Sequence, residues 1–194
     1  MDVSYILDDL NDAQRQAVTS ESKKLLVLAG AGSGKTKVLV HRIAWLIKAL
    51  SNSTHSILSV TFTNKAANEM TGRIEQILDQ PIPEMWCGTF HSISNRLLRR
   101  HYKEAGLEKD FSILDSDDQL RVIKRNLKEL DIDEDQWPPE KVRWQINNWK
   151  DEALRPKDVD DKGDFNLETL KKIYAYYESY MQRENLIDFA ELIL

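Results

Sequence analysis

Ala29-Gly30-Ala31-Gly32-Ser33-Gly34-Lys35-Thr36 is the stretch on which the fold turns. It follows the apolar run Leu25-Leu26-Val27-Leu28 and precedes Val38, Leu39, Ile43, Leu46 and Ile47, which recur at helical spacing. The order predicts strand, glycine-rich loop, helix. In that arrangement backbone N–H groups and a helix N-terminus surround a phosphate chain. Lys35 is the side chain that reaches the β- and γ-phosphates, and the Thr36 hydroxyl is the group that holds Mg²⁺ on the nucleotide. The usual pattern has glycine where Ala29 stands; only a small residue fits so close to phosphate, and alanine is the mildest departure. Ala29, Gly30, Ala31, Gly32, Ser33, Gly34, Lys35 and Thr36 are therefore expected to bind a nucleoside triphosphate, with Lys35 and Thr36 as the catalytic pair.

Composition narrows the class. The 194 residues allow one or two domains. Hydrophobic residues make up 41% and charged residues 30%, the balance of a soluble chain able to bury a core. The single cysteine, Cys87, excludes a disulfide framework and a cysteine-based zinc site, and His41, His55, His91 and His101 lack ligand spacing. The opening residues do not have the basic-then-apolar build of a signal peptide, and no apolar run reaches the length of a membrane span. A cytoplasmic protein with no membrane partner is expected. The net charge of −5 counts against indiscriminate nucleic-acid binding. Residues 1–91 are neutral, with 9 basic and 9 acidic side chains, so the acidic surplus falls in residues 92–194. Within that acidic half, His91 to Lys103 contains Arg96, Arg99, Arg100 and Lys103 and no acid. Their spacing lines one side of a helix, and alone it reads as a solvated face.

Residues 1–91 read as an α/β unit. A helix over 12–19, capped by Asn11 or Asp12, precedes the apolar run. Ile57-Leu58-Ser59-Val60-Thr61-Phe62 is a second strand, leading through Thr63-Asn64 into a helix with Ala66, Met70, Ile74 and Ile77. Met85-Trp86-Cys87-Gly88-Thr89-Phe90 is a third, leading into His91 and the basic helix. Strands separated by helices imply a parallel sheet, which binds ligands at the carboxyl ends of its strands. The phosphate loop, Thr61 to Lys65 and Gly88 to Ser92 are all expected there.

After about residue 92 the pattern is helical only. Ser116-Asp117-Asp118-Gln119 is a capping box before Leu120, Ile123, Leu127 and Leu130. Pro138-Pro139 suits the first turn of a helix bearing Val142, Ile146 and Trp149. Arg155 to Asp164 is loop, and Leu170, Ile173, Tyr174, Tyr177 and Met181 mark a further amphipathic helix whose aromatic stripe reads as core. Asp188-Phe189-Ala190-Glu191 reads as the cap and first turn of a helix that nothing closes, so the chain is expected to be cut from something larger.

A phosphate-loop ATPase also needs an apolar strand ending in Asp, usually followed by Glu, to position Mg²⁺ and water. Phe111-Ser112-Ile113-Leu114-Asp115 has the apolar lead-in but is followed by Ser116, while Asp133-Glu134 and Asp151-Glu152 have no strand before them. All three read as structural.

Four motifs in order carry a family resemblance. Leu10-Asn11-Asp12-Ala13-Gln14-Arg15-Gln16-Ala17-Val18, the glycine-rich loop, Thr61-Phe62-Thr63-Asn64-Lys65-Ala66-Ala67 and Gly88-Thr89-Phe90-His91-Ser92 stand as in superfamily-1A DNA helicases of the UvrD/Rep/PcrA type. Met1-Asp2-Val3-Ser4-Tyr5, Gln136-Trp137-Pro138-Pro139 and Asp188-Phe189-Ala190-Glu191-Leu192 extend the resemblance over nearly the whole chain. It implies a 3′-to-5′ DNA helicase of replication-linked repair, driven by ATP and Mg²⁺, acting on single-stranded and partially duplex DNA alongside repair proteins. It implies a RecA-like motor domain begun by residues 1–91 and an all-helical insertion domain over 92–194, with the Asp-Glu strand and arginine fingers later in the chain. Gln14 matches the glutamine that reads adenine. Lys37 stands where arginine is usual, keeping the charge without the planar guanidinium. Phe62, Thr63 and Asn64 match the first single-strand contact motif and Thr89, Phe90 and His91 the second, with Arg96 on the basic helix beyond. An aromatic there stacks on a base while amide and imidazole groups hold phosphates; strand core is the competing reading of Phe62 and Phe90. A rival reading is a non-motor phosphate-loop protein, such as a small kinase with a helical lid. Another makes residues 92–194 a partner-binding module.

Overall fold

Asn11 starts the first helix. Its side chain accepts from the Gln14 backbone N–H at 2.9 Å while Gln14 Oε1 accepts from the Asn11 N–H at 3.2 Å, closing a capping box at the head of α1 (Asp12–Thr19). The computed structural model describes residues 2–194; Met1, the first residue of the N-terminal stretch quoted above, lies outside them. The chain divides into two compact units, one ending at Ile93 and one over Ser94–Leu194.

In the first unit, α2 (Lys35–Lys48) and α3 (Asn64–Leu78) enclose a core of Ile6, Val40, Ile43, Ala44, Met70, Ile74 and Leu78. The buried face of α2 runs through Val40 and Ala44, leaving Leu39 exposed although its spacing suggested the core. Strands β1 (Leu58–Thr61) and β2 (Trp86–Thr89) pair in parallel, with Thr61 opposite Thr89, and α3 is their crossover. The strand expected over Leu25–Leu28 does not form. The run has no regular secondary structure, with Leu26 79% and Leu28 84% exposed. Apolar composition alone does not make a strand; a ladder partner must satisfy its backbone, and among the described residues the sheet of this unit holds β1 and β2 only.

The second unit packs α5 (Ser116–Glu129), α6 (Pro139–Asp151) and α7 (Phe165–Arg183) around Ile123, Leu127, Val142, Ile146, Trp149, Ile173, Tyr174 and Tyr177. Pro139 occupies the first turn of α6. The tyrosines of α7 are core, with Trp149 stacked on Tyr174 at 5.7 Å between ring centroids. The cap of α5 lies one residue earlier than the capping box suggested, because Asp115 Oδ1 accepts from both Asp117 and Asp118 N–H groups. This unit is not all-helical: β3 (Ser112–Ile113) pairs in parallel with β4 (Leu186–Ile187). Asp188 to Leu194 forms successive turns instead of a helix, with Leu192 N–H donating to the Asp188 carbonyl and Leu194 N–H to the Ala190 carbonyl.

One core residue of α5 is polar. Asn126 is fully buried, and among the described residues neither its amide nitrogen nor its amide oxygen has a hydrogen-bond partner. Asn126→Leu keeps the branched heavy-atom skeleton and removes two uncompensated polar atoms, so, where the core accommodates the larger methyl groups, it should stabilise this unit by about 1–3 kcal/mol. A urea melt of the variant checks this through the shift of its midpoint at unchanged slope.

Candidate functional site

Helix α2 begins without a side-chain cap. Its N-cap is Gly34 at φ +86°, preceded by Gly32 at φ +75°, and these left-handed residues turn the chain through the loop. A Cβ at Gly34 would sit 2.8 Å from Gln14 Nε2, so glycine also makes room for Gln14, whose amide donates to the Ser33 carbonyl at 3.2 Å. Ser33 Oγ donates to the Gly30 carbonyl at 2.7 Å. Lys35 Nζ folds back over the loop and donates to the carbonyls of Ala29 at 2.8 Å and Gly30 at 2.7 Å. Ala29 to Ser33 and Thr36 are exposed, and a Cβ at Gly30 or Gly32 would meet nothing within 4 Å. The result is an open loop with an ammonium inside it and the bare N–H end of a fourteen-residue helix behind it. Lys37 is tied elsewhere, donating to the Asp9 carbonyl at 2.6 Å.

A second grouping forms where β1 and β2 end. Because Thr61 and Thr89 are register partners, Phe62 and Phe90 emerge side by side, with ring centroids 6.3 Å apart and planes tilted by 57°. Phe62 is 90% exposed and Phe90 53%, so neither is strand core. Thr63 caps α3, its Oγ1 accepting from the Ala66 N–H, and Asn64 is the exposed first residue of that helix. Thr89 Oγ1 accepts from the Ser92 N–H where α4 (Phe90–Arg100) starts. Gly88 leaves room for this contact: a Cβ would lie 2.5 Å from Ser92 Oγ, and the hydroxyl would have to move. His91 is exposed on the first turn of α4, and Arg96 is partly buried on its second.

The four cations read as one face of the basic helix do not form one. Lys103 lies beyond the end of α4, and the Arg99 guanidinium is spent on Phe111, 3.6 Å over its ring and 2.7 Å from its carbonyl oxygen.

Sequence reading missed a buried ion cluster in the second unit. Lys150 Nζ lies 2.9 Å from Asp188 Oδ2, 2.8 Å from Glu191 Oε2 and 3.4 Å from Glu178 Oε1. Arg155 bridges Glu178 and Glu191 at 3.0 and 2.6 Å, and Tyr177 and Gln119 donate to Asp188 Oδ2 at 2.7 and 3.1 Å. Burial pushes the Asp188 carboxyl up, but the Lys150 ammonium and the Tyr177 hydroxyl outweigh it and hold it below the usual carboxylate range. Burial likewise opposes charged Lys150, yet Asp188 and Glu191 hold its pKa above the ordinary lysine value. The signal was present in part: Lys150 extends the buried stripe of Val142, Ile146 and Trp149, and a lysine on such a stripe needs an acid. Asp188 does end an apolar strand, β4, but it is committed to Lys150. Asp115 caps α5, Asp133 Oδ1 accepts from the Asp135 N–H, and Asp151 closes α6.

Residues 10–194 match the UvrD/REP helicase N-terminal domain family. The chain is 54% identical, over all 194 of its residues, to DNA helicase II of Salmonella typhimurium and to DNA helicase II of Escherichia coli K12, covering 27% of each. It is 40% identical over 192 residues, 98% of the chain, to the ATP-dependent DNA helicase PcrA of Bacillus subtilis, covering 26% of that protein. The chain thus spans about a quarter of the length of these relatives. With the match running from Leu10 to Leu194, the chain belongs to the UvrD/REP helicase family, to its N-terminal domain.

Proposed function

We propose that this chain carries the nucleotide site and part of the single-strand track of an ATP-dependent DNA helicase that moves 3′ to 5′ in replication-linked repair. The relatives named DNA helicase II and ATP-dependent DNA helicase PcrA support helicase activity and the use of ATP. The observation that carries the reading is the bare N-terminus of α2 behind an open glycine-rich loop that already holds the Lys35 ammonium. Those groups fit a magnesium nucleotide. Ala29, Gly30, Ala31, Gly32, Ser33 and Gly34 would offer N–H groups to the phosphates, Lys35 their countercharge, and Thr36 a hydroxyl to Mg²⁺. Gln14, joined to the loop at Ser33, would read the adenine edge with Lys37 nearby. When bound, the magnesium nucleotide supplies the phosphoanhydride and the charge neutralisation that hydrolysis requires.

In this reading residues 1–91 begin a RecA-like motor domain and residues 92–194 form its insertion. Phe62 and Phe90 stack on bases, while Thr63, Asn64, Thr89, His91 and Arg96 hold the backbone. The chain alone binds nucleotide without turning it over, because the acidic candidates among the described residues are committed to caps, turns and Lys150.

Phe62→Ala tests the track. Phe62 is nearly fully exposed, so the variant should melt within about 0.5 kcal/mol of the parent. Its affinity for a short single-stranded oligonucleotide should fall by about 1–3 kcal/mol with little change in salt slope, measured by fluorescence anisotropy. Unchanged affinity would remove Phe62 from the track.

A further inference from the structure

We propose that Lys37 is a positioning residue for the nucleotide base, acting through Gln14 instead of touching the nucleotide; this rests on the nucleotide site proposed above. Both ends of the Gln14 amide are engaged. Its Oε1 accepts from the Asn11 N–H and its Nε2 donates to the Ser33 carbonyl, each at 3.2 Å. Turning the amide over would set its NH₂ group against an N–H and its oxygen against a carbonyl, so its orientation is locked. Each bond uses half of the amide's capacity, which leaves one N–H and one oxygen lone pair for a ligand. A donor beside an acceptor matches N7 and the N6 amino group of adenine. Guanine offers two acceptors on that edge and is mismatched.

That selectivity lasts only while Asn11 and Ser33 keep their relative placement. Asn11 heads α1, whereas Ser33 lies in the loop before α2. Lys37, on the first turn of α2, crosses between them: its Nζ donates to the Asp9 carbonyl at 2.6 Å, just ahead of Asn11. The chain before Asp9 is fastened as well. Arg15 donates to the carbonyls of Leu7 at 3.1 Å and Asp8 at 3.4 Å, and His41 Nδ1 lies 2.5 Å from the Ile6 carbonyl oxygen. Ile6 and Leu10 are buried. The successive carbonyls from Ile6 to Asp9 are thus all held by side chains of α1 and α2, and Lys37 holds the one nearest the Asn11 cap.

Lysine suits this task. Its ammonium makes a strong charge-assisted bond to a carbonyl, and it has no planar face to lay against a base.

The test titrates the 194-residue chain and its variants with MgATP and with MgGTP by calorimetry, in about 0.15 M salt so that loss of a charge alone is screened. The parent should bind MgATP about tenfold more tightly than MgGTP, and Gln14→Ala should bring the two close to equality. Lys37→Met should cut the ATP-to-GTP ratio about fivefold, the weight of one net hydrogen bond, with MgGTP affinity held within about twofold. Lys37→Arg, which can still donate to the Asp9 carbonyl, should restore the ratio. Added to Gln14→Ala, Lys37→Met should change the ratio no further, because nothing is left to position. A further fall in that double variant would mean that Lys37 meets the base itself, and would overturn the proposal. So would an unchanged ratio in Lys37→Met, loss of both nucleotides in that variant, or a parent that does not discriminate. A parent that binds neither nucleotide would overturn the nucleotide site, and this role with it.

Discussion

Asp188→Ala should cost the second unit about 3–5 kcal/mol, because it leaves the Lys150 ammonium buried beside a hole where its main partner was. The remaining contacts to Glu191 and Glu178 soften the loss without removing it, since Tyr177 and Gln119 also lose their acceptor. An exposed pair gives the contrast: Asp118→Ala, which breaks the surface ion pair with Arg121, should cost no more than about 0.5 kcal/mol. Urea melts followed by tryptophan fluorescence check both. If Lys150→Met is added to Asp188→Ala, part of the stability should return, as the stranded charge is gone. The same cluster sets a pH window. Asp188 and Glu191 have folded pKa values below their unfolded ones, so their contribution is present above about pH 4 and is lost as pH falls through the lowered values. Lys150, raised in the fold, contributes below about pH 10 and loses that contribution as pH rises through its elevated value.

The second large effect belongs to the phosphate loop. In a protein of the relatives' length, Lys35→Ala should lower ATP hydrolysis by about 10²–10³-fold, the loss that follows removal of one preorganised charge at the reacting group. Unwinding should disappear with it. Single-strand affinity should hold within about twofold, because Phe62 and Phe90 stand where β1 and β2 end and Lys35, among the described residues, donates to the carbonyls of its own loop. ATPase rates and oligonucleotide anisotropy on one preparation check both halves.

Much of this was legible in local pattern. The stripe Val142, Ile146, Trp149 is core, Pro139 opens its helix, and Asn11 caps α1, because spacing and cap chemistry act within one or two turns. Phe62 and Phe90 were expected at the ends of two strands with strand core as the competing reading, and their pairing came from the register of β1 and β2. What local pattern could not supply was partnership. Leu25 to Leu28 announces an apolar strand, but strand formation depends on a ladder neighbour that the run itself does not specify. Lys150 and Asp188 lie 38 residues apart, and neither the helix around one nor the strand before the other points to its mate. Arg99 looked like its neighbours on the basic helix until Phe111 took it. In each case the deciding contact is distant in sequence.

The loop from Ala29 to Thr36 is the proposed magnesium-nucleotide site. The direct measurement is titration of this 194-residue chain, and of Lys35→Ala, with a fluorescent ATP analogue with and without Mg²⁺, alongside phosphate release. Saturable, magnesium-dependent binding to the parent, its loss in the variant and phosphate release at background are the predicted result. Binding that survives Lys35→Ala, or steady phosphate release that depends on Lys35, would contradict it.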